Sequence, residues 1–136
     1  MTGLREVIVV DGDDNSLHHT RAVLVAAQAA EAVHLFATAQ AALDFLQRAE
    51  GHDVDLVMLA VDGPEAFGRD FLRAHERLHE SQRARLIVPM IGAAPGTADA
   101  VEVLGAGCAK RALLKPLNTE QVRQLVLAAS QTPSWR

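Results

Sequence analysis

Short apolar runs recur along this chain and alternate with stretches whose apolar residues are spaced like one face of a helix. The runs lie at residues 7–10, 32–37, 54–61, 86–91 and 112–114; His34 interrupts the second, and Asp55 stands near the start of the third. Runs that are continuous are typical of parallel strands covered by helices on both faces. The pattern therefore predicts five β-α units and an α/β fold with an open parallel sheet.

Side chains that cap helices stand at the expected starts of four of the helical stretches. The candidate caps are Asp13 and Asp14, Thr38, Thr97 and Asn118. Phe67, Phe71 and Leu78 mark the third helix, which is predicted to be longer and solvated on its other sides. Residues 1–130 are predicted to form one domain, and residues 131–136 a tail or the start of a linker.

Composition excludes several classes of protein. The chain has 136 residues, enough for one core, and a net charge of −4 gives no basic field for binding nucleic acid. No apolar run approaches the ~20 residues of a membrane helix, and the first residues lack the layout of a signal peptide. The single cysteine, Cys108, excludes an internal disulfide and fits a reducing compartment. A cytoplasmic location, with no membrane contact, is expected.

In an open parallel sheet, ligands bind at the carboxyl ends of the strands. There the chain carries the runs Asp11-Gly12-Asp13-Asp14, Leu59-Ala60, Gly63-Pro64 and Leu114-Lys115-Pro116. In their order and spacing, these pieces resemble the response-regulator receiver family, the CheY-like domains, over about residues 5–130. The resemblance implies a flavodoxin-like (βα)5 fold with strand order 2-1-3-4-5. Two helices would cover one face of the sheet and three the other.

The resemblance also identifies the residues of a degenerate phosphorylation pocket. The family's phosphate-accepting aspartate, at the end of the third strand, corresponds to Ala60, and its pair of metal-binding acids to Asp11 and Gly12. The Thr or Ser that follows the phosphate corresponds to Gly92, and the switch aromatic to Ala112. A methyl group is no nucleophile, and Mg²⁺ needs oxygen ligands. We therefore expect no catalytic residue, no metal and no cofactor.

Three further residues of the pocket keep a polar or conformational role. Lys115 and Pro116 match the family pattern, which implies a cis peptide bond before the proline, and Asp13 belongs to the acidic run after the first strand. Without phosphate or metal, Lys115 is predicted to form an ion pair or a water-bridged contact with Asp11.

These losses predict a pseudo-receiver of two-component signal transduction that is not an enzyme and acts on a protein partner without phosphorylation. In the family, the fourth helix, fifth strand and fifth helix form a common pairing face, so a homodimer is possible here. The residues of this chain on that face are Lys110, Arg111, Ala112, Glu120, Arg123 and Gln124. Mixed charges of this kind suit a symmetric interface.

Two alternatives stay open. The pocket emptied of carboxylates could bind a small molecule. Separately, His75, Glu76 and His79 match the H-E-x-x-H pattern of zinc hydrolases, with Glu102 as a third ligand. The charged residues that flank this pattern favour a solvated helical face over a zinc site.

Overall fold

Five parallel strands form one sheet in the computed structural model, which describes residues 4–48, 54–60, 67–79, 82–91, 113–114 and 117–131. Their order is β2-β1-β3-β4-β5. The strands are β1 (Leu4–Val10), β2 (Ala30–Phe36), β3 (Val54–Ala60), β4 (Leu86–Ile91) and β5 (Leu113–Leu114). The predicted fold class and strand order are confirmed.

Four helices pack on the two faces of the sheet in the described ranges. They are α1 (Asp14–Ala26), α2 (Ala39–Arg48), α3 (Phe67–Glu76) and the C-terminal helix (Thr119–Gln131). The helix expected after Thr97, and with it the division into two and three helices, lies outside the described residues. None of the described helices is long and apolar enough to cross a membrane.

Capping side chains fix where the helices begin. The Asp13 carboxylate accepts hydrogen bonds from the backbone N–H groups of Asn15 and Ser16, at 3.0 and 3.2 Å. Asn118 and Gln121 each accept the backbone N–H of the other, at 2.8 and 2.9 Å, which is a reciprocal capping box. Thr38 accepts the N–H of Ala41 at 3.1 Å. These three predicted caps are confirmed.

Alternate residues of the strands belong to two separate cores. Val7 and Val9 pack with α1 and the C-terminal helix, whereas Ile8 and Val10 pack with α2 and α3. Burial on both faces explains why the apolar run of β1 is continuous.

The run that contains His34 is the edge strand β2, whose residues are mostly half-buried. There the His34 ring lies 2.9 Å from a carboxylate oxygen of Glu6, and its centroid lies 4.6 Å from that of Phe45. A polar residue is tolerated at this position because β2 lies at the edge of the sheet and its residues keep some contact with solvent.

Just after α1, Gln28 has a strained backbone conformation, and a substitution there can test the effect of this strain on stability. Gln28 has a φ of 52°, and the N–H groups of Gln28 and Ala29 donate to Val25 and Leu24, as in a Schellman motif. Glycine adopts this conformation without a steric cost. We expect Gln28→Gly to raise the free energy of unfolding by about 0.5–1 kcal/mol, measured by urea denaturation. Gln28→Ala, which keeps the strain, is the control, and an equal gain in both variants would contradict this explanation.

The third helix corrects one prediction. In the described residues it runs from Phe67 to Glu76, and Leu78 lies beyond its end. Leu78 is nevertheless buried, in the same core cluster as Phe71.

Candidate functional site

Asp11 is a buried carboxylate at the carboxyl end of the sheet. It directly follows β1, and its backbone N–H donates to Phe36 at the end of β2, at 3.1 Å. One carboxylate oxygen, Oδ1, accepts the backbone N–H of Asp13 at 2.9 Å, and the other, Oδ2, accepts the hydroxyl of Ser16 at 2.6 Å. These bonds fix the orientation of the carboxylate where ligands of such sheets bind.

Ala60 is the last residue of β3 and lies beside Asp11. Val10 is paired with Leu59 in the β1–β3 register, so the next pair along the two strands is Asp11 and Ala60. On its other side Ala60 is paired with Met90 of β4. Only 2% of Ala60 is exposed, and its methyl group belongs to the core under α1 and the C-terminal helix. This position therefore offers no nucleophile and no metal ligand.

Gly12 is an exposed position with room for a side chain. A Cβ atom built on it would meet only the carbonyl oxygen of Ala37, at 3.9 Å, and its φ is not in the left-handed region. Backbone sterics therefore do not explain why this position lacks the second metal-binding acid that the resemblance implies.

The described residues of this pocket do not fit a magnesium ion. Magnesium favours several oxygen ligands in octahedral geometry, and the described part of the chain contains no group of three acidic, histidine or cysteine side chains that could hold a metal. The Asp13 carboxylate points to the helix start, where it caps α1. Among the described residues, Asp11 is the one buried acid, and both of its oxygens accept hydrogen bonds from the protein.

Several predicted site residues lie outside the described residues. These are Gly92, Lys115 and Pro116 of the pocket and Lys110, Arg111 and Ala112 of the pairing face. The contact between Lys115 and Asp11 therefore stays a prediction. Ser16 was not predicted as part of the site. Its position in the first turn after an aspartate-rich loop was the one available signal.

The outer side of the C-terminal helix carries the described part of the pairing face. Glu120, Arg123 and Gln124 are exposed, and the Gln124 amide donates to Glu120 at 3.3 Å. Leu127, 63% exposed, follows at the same helical spacing. The face thus combines an acid, a base and an amide with the apolar side chain of Leu127, which was not predicted to belong to it.

The H-E-x-x-H pattern is not a zinc site in this fold. His75 is buried, stacks on Phe71 with ring centroids 5.8 Å apart, and its Nε2 accepts the backbone N–H of Ala84 at 3.0 Å. Burial, and secondarily the charge of Arg83, lower the pKa of His75 to about 4. His79 lies beyond the end of α3, so the two imidazoles do not share a helix.

The prediction of a solvated helical face is confirmed for Arg73 and Glu76, which are exposed, and is wrong for His75. His75 is a neutral core residue that satisfies a backbone donor, because a buried N–H without an acceptor would be costly. The proposed third zinc ligand, Glu102, lies outside the described residues.

The fold of this chain is similar to that of several solved structures. A response regulator receiver protein from Dyadobacter fermentans is 21% identical, with a TM-score of 0.78, and the match covers 94% of this chain and 99% of that one. The bacteriophytochrome response regulator AtBRR is 20% identical, with a TM-score of 0.72 and coverage of 98% and 97%. The chemotaxis response regulator CheY4 of Vibrio cholerae is 21% identical, with a TM-score of 0.67 and coverage of 93% and 98%.

The sequence itself matches no protein-family model and no curated protein. At these identities the similarity shows the fold, which is that of response-regulator receiver domains.

Proposed function

We propose that this chain, which has the fold of response-regulator receiver domains, is a pseudo-receiver that signals through protein contacts without accepting phosphate. The observation that carries the proposal is the buried methyl group of Ala60 at the end of β3, level with Asp11. In this fold that is where a nucleophilic carboxylate would be needed.

The chemistry of phosphoryl transfer supports this proposal. Transfer needs a nucleophile in line with the phosphorus and a cation that neutralises the developing charge. Ala60 supplies no nucleophile, and Gly12 supplies no carboxylate beside Asp11. The domain is therefore proposed to lack the self-phosphorylation that a receiver performs, and to act as a binding module.

Incubation with acetyl phosphate and Mg²⁺ tests the proposal. We expect intact-protein mass spectrometry to find the chain unmodified under conditions that phosphorylate a competent receiver domain run in parallel. A mass increase of one phosphoryl group, labile to hydroxylamine as an acyl phosphate is, would contradict the proposal.

The exposed face of the C-terminal helix is the proposed contact surface, and a second copy of this chain is the proposed partner. In a two-fold arrangement Glu120 of each copy can face Arg123 of the other, with Leu127 excluding water nearby. An apolar residue at an interface contributes more than an exposed ion pair, because the ion pair is screened by solvent.

Substitution of Leu127 tests this surface. We expect Leu127→Asp to weaken self-association about tenfold or more, measured by analytical ultracentrifugation over a range of concentrations. Val25→Asp is a matched control, since Val25 is 56% exposed on α1 and does not belong to this face. Equal effects of the two substitutions, or a chain that is monomeric throughout, would count against the interface.

A small-molecule ligand in the emptied pocket is less well supported by the geometry. The Ala60 methyl group is part of the packed core, and the oxygens of Asp11 already accept hydrogen bonds from the protein. Thermal-shift measurements against metabolites address this alternative, because a ligand that binds only the folded state raises the melting temperature.

A further inference from the structure

Among the described residues of the pocket, Ser16 makes the shortest side-chain contact. Its hydroxyl donates to Oδ2 of Asp11 at 2.6 Å, in a partly buried part of the site. A hydrogen bond from a hydroxyl to a carboxylate at this distance is charge-assisted and stronger than a bond between neutral groups. The contact is therefore energetically important for a carboxylate that is itself only 2% exposed.

Two donors to Asp11 in the described part of the chain come from one short segment. Asp13 is the N-cap of α1 and donates through its backbone, while Ser16 lies in the first turn of the helix. The Asp13 side chain in turn accepts the backbone N–H of Ser16. The end of β1 and the start of α1 are thus joined by hydrogen bonds among Asp11, Asp13 and Ser16.

We infer that the Ser16 hydroxyl takes the place of a divalent cation as a partner of the Asp11 carboxylate. It thereby holds the β1–α1 junction in one metal-independent arrangement. The inference rests on the proposed function and deepens it: a domain without phosphate chemistry has an internal group that stabilises the remaining acid. Ser16 is a positioning residue, since it acts through Asp11.

Magnesium affinity in a Gly12→Asp background tests the inference. Gly12 is exposed and has space for a side chain, so Gly12→Asp places a second carboxylate next to Asp11. We expect Gly12→Asp/Ser16→Ala to bind Mg²⁺ about tenfold more tightly than Gly12→Asp alone, because the Asp11 oxygen is released from its internal donor. Gly12→Asp/Ser16→Thr keeps the hydroxyl and should bind like Gly12→Asp. Isothermal titration calorimetry with MgCl₂ measures all three, after circular dichroism has confirmed that each is folded.

A merely structural role of Ser16 would give a different result. Loss of a packing contact would lower stability in the Ser16→Ala variant without raising its affinity for Mg²⁺. Equal affinities of the Gly12→Asp and Gly12→Asp/Ser16→Ala variants, including no binding by either, would overturn the inference while leaving the proposed function intact. Saturable Mg²⁺ binding by the unmodified chain would also overturn the inference, whereas transfer of a phosphoryl group to that chain would overturn the proposed function.

Discussion

Restoring two carboxylates, through Gly12→Asp and Ala60→Asp together, is expected to make this chain accept phosphate from acetyl phosphate in the presence of Mg²⁺. The two new acids and Asp11 would lie at the ends of the neighbouring strands β1 and β3, which are paired up to Val10 and Leu59. Neighbouring strands are about 4.8 Å apart, close enough for their carboxylates to share one cation. The nucleophile and the cation would then both be present.

The single variants separate the two contributions. Ala60→Asp alone places a charge at a site that holds a buried methyl group in the unmodified chain. We expect it to lower the free energy of unfolding by about 1–3 kcal/mol at neutral pH, and to remain poorly phosphorylated. Gly12→Asp alone should leave stability nearly unchanged, because the position is exposed and has room.

Intact-protein mass spectrometry and thermal denaturation with and without Mg²⁺ measure these effects. The matched control is Gly12→Asn/Ala60→Asn, which has the same shape without the charges and should neither bind Mg²⁺ nor gain a phosphoryl group. A double aspartate variant that is folded, binds Mg²⁺ and still stays unmodified would show that the loss of reactivity does not arise from these two positions.

The second large effect is an acid-dependent loss of stability caused by His75. Its pKa is about 4 in the folded chain and 6.5 in the absence of the fold. Between these values the unfolded state binds more protons than the folded state, so the free energy of unfolding falls as the pH falls. The contribution is fully present above pH 6.5 and lost as the pH approaches 4. Its size is about 3 kcal/mol.

Two substitutions of His75 isolate this effect. His75→Gln keeps an acceptor for the Ala84 N–H and does not titrate. Between pH 7 and 4, its free energy of unfolding should therefore fall by about 3 kcal/mol less than that of the unmodified chain. His75→Leu leaves that buried N–H without its acceptor and should lower stability at pH 7 by about 1–3 kcal/mol. Urea denaturation at several pH values measures both, and parallel pH profiles for the unmodified chain and His75→Gln would refute the assignment.

The strands of the core and the starts of the helices could be predicted because their causes are local. The continuous run of β1 reflects burial on both faces, and Asp13 and Asn118 cap helices through bonds to residues two or three positions away. The position of Ala60 at a strand end follows from the same regularity. These features depend on short segments of sequence.

The features that were missed depend on contacts between segments or on where a helix ends. His75 is buried because α3 lays Phe71 and His75, four residues apart, against the sheet and because Ala84 supplies a donor from nine residues away. The charged neighbours of His75 indicated solvent instead. The spacing of Phe71, His75 and Leu78 was the available signal. The direction of the Ser16 hydroxyl depends on how the first turn of α1 is oriented relative to β1. No sequence pattern specifies that orientation.

Titration of the unmodified chain with Mg²⁺, followed by beryllofluoride, tests the central claim most directly. Backbone amide signals of Asp11, Gly12, Asp13, Ser16 and Ala60 in NMR spectra report on the cation site and on the phosphate position. We predict no saturable change in these signals at millimolar Mg²⁺ and none on adding beryllofluoride. Saturable shifts at Asp11 and Ala60 would show a working receiver pocket and would contradict the account.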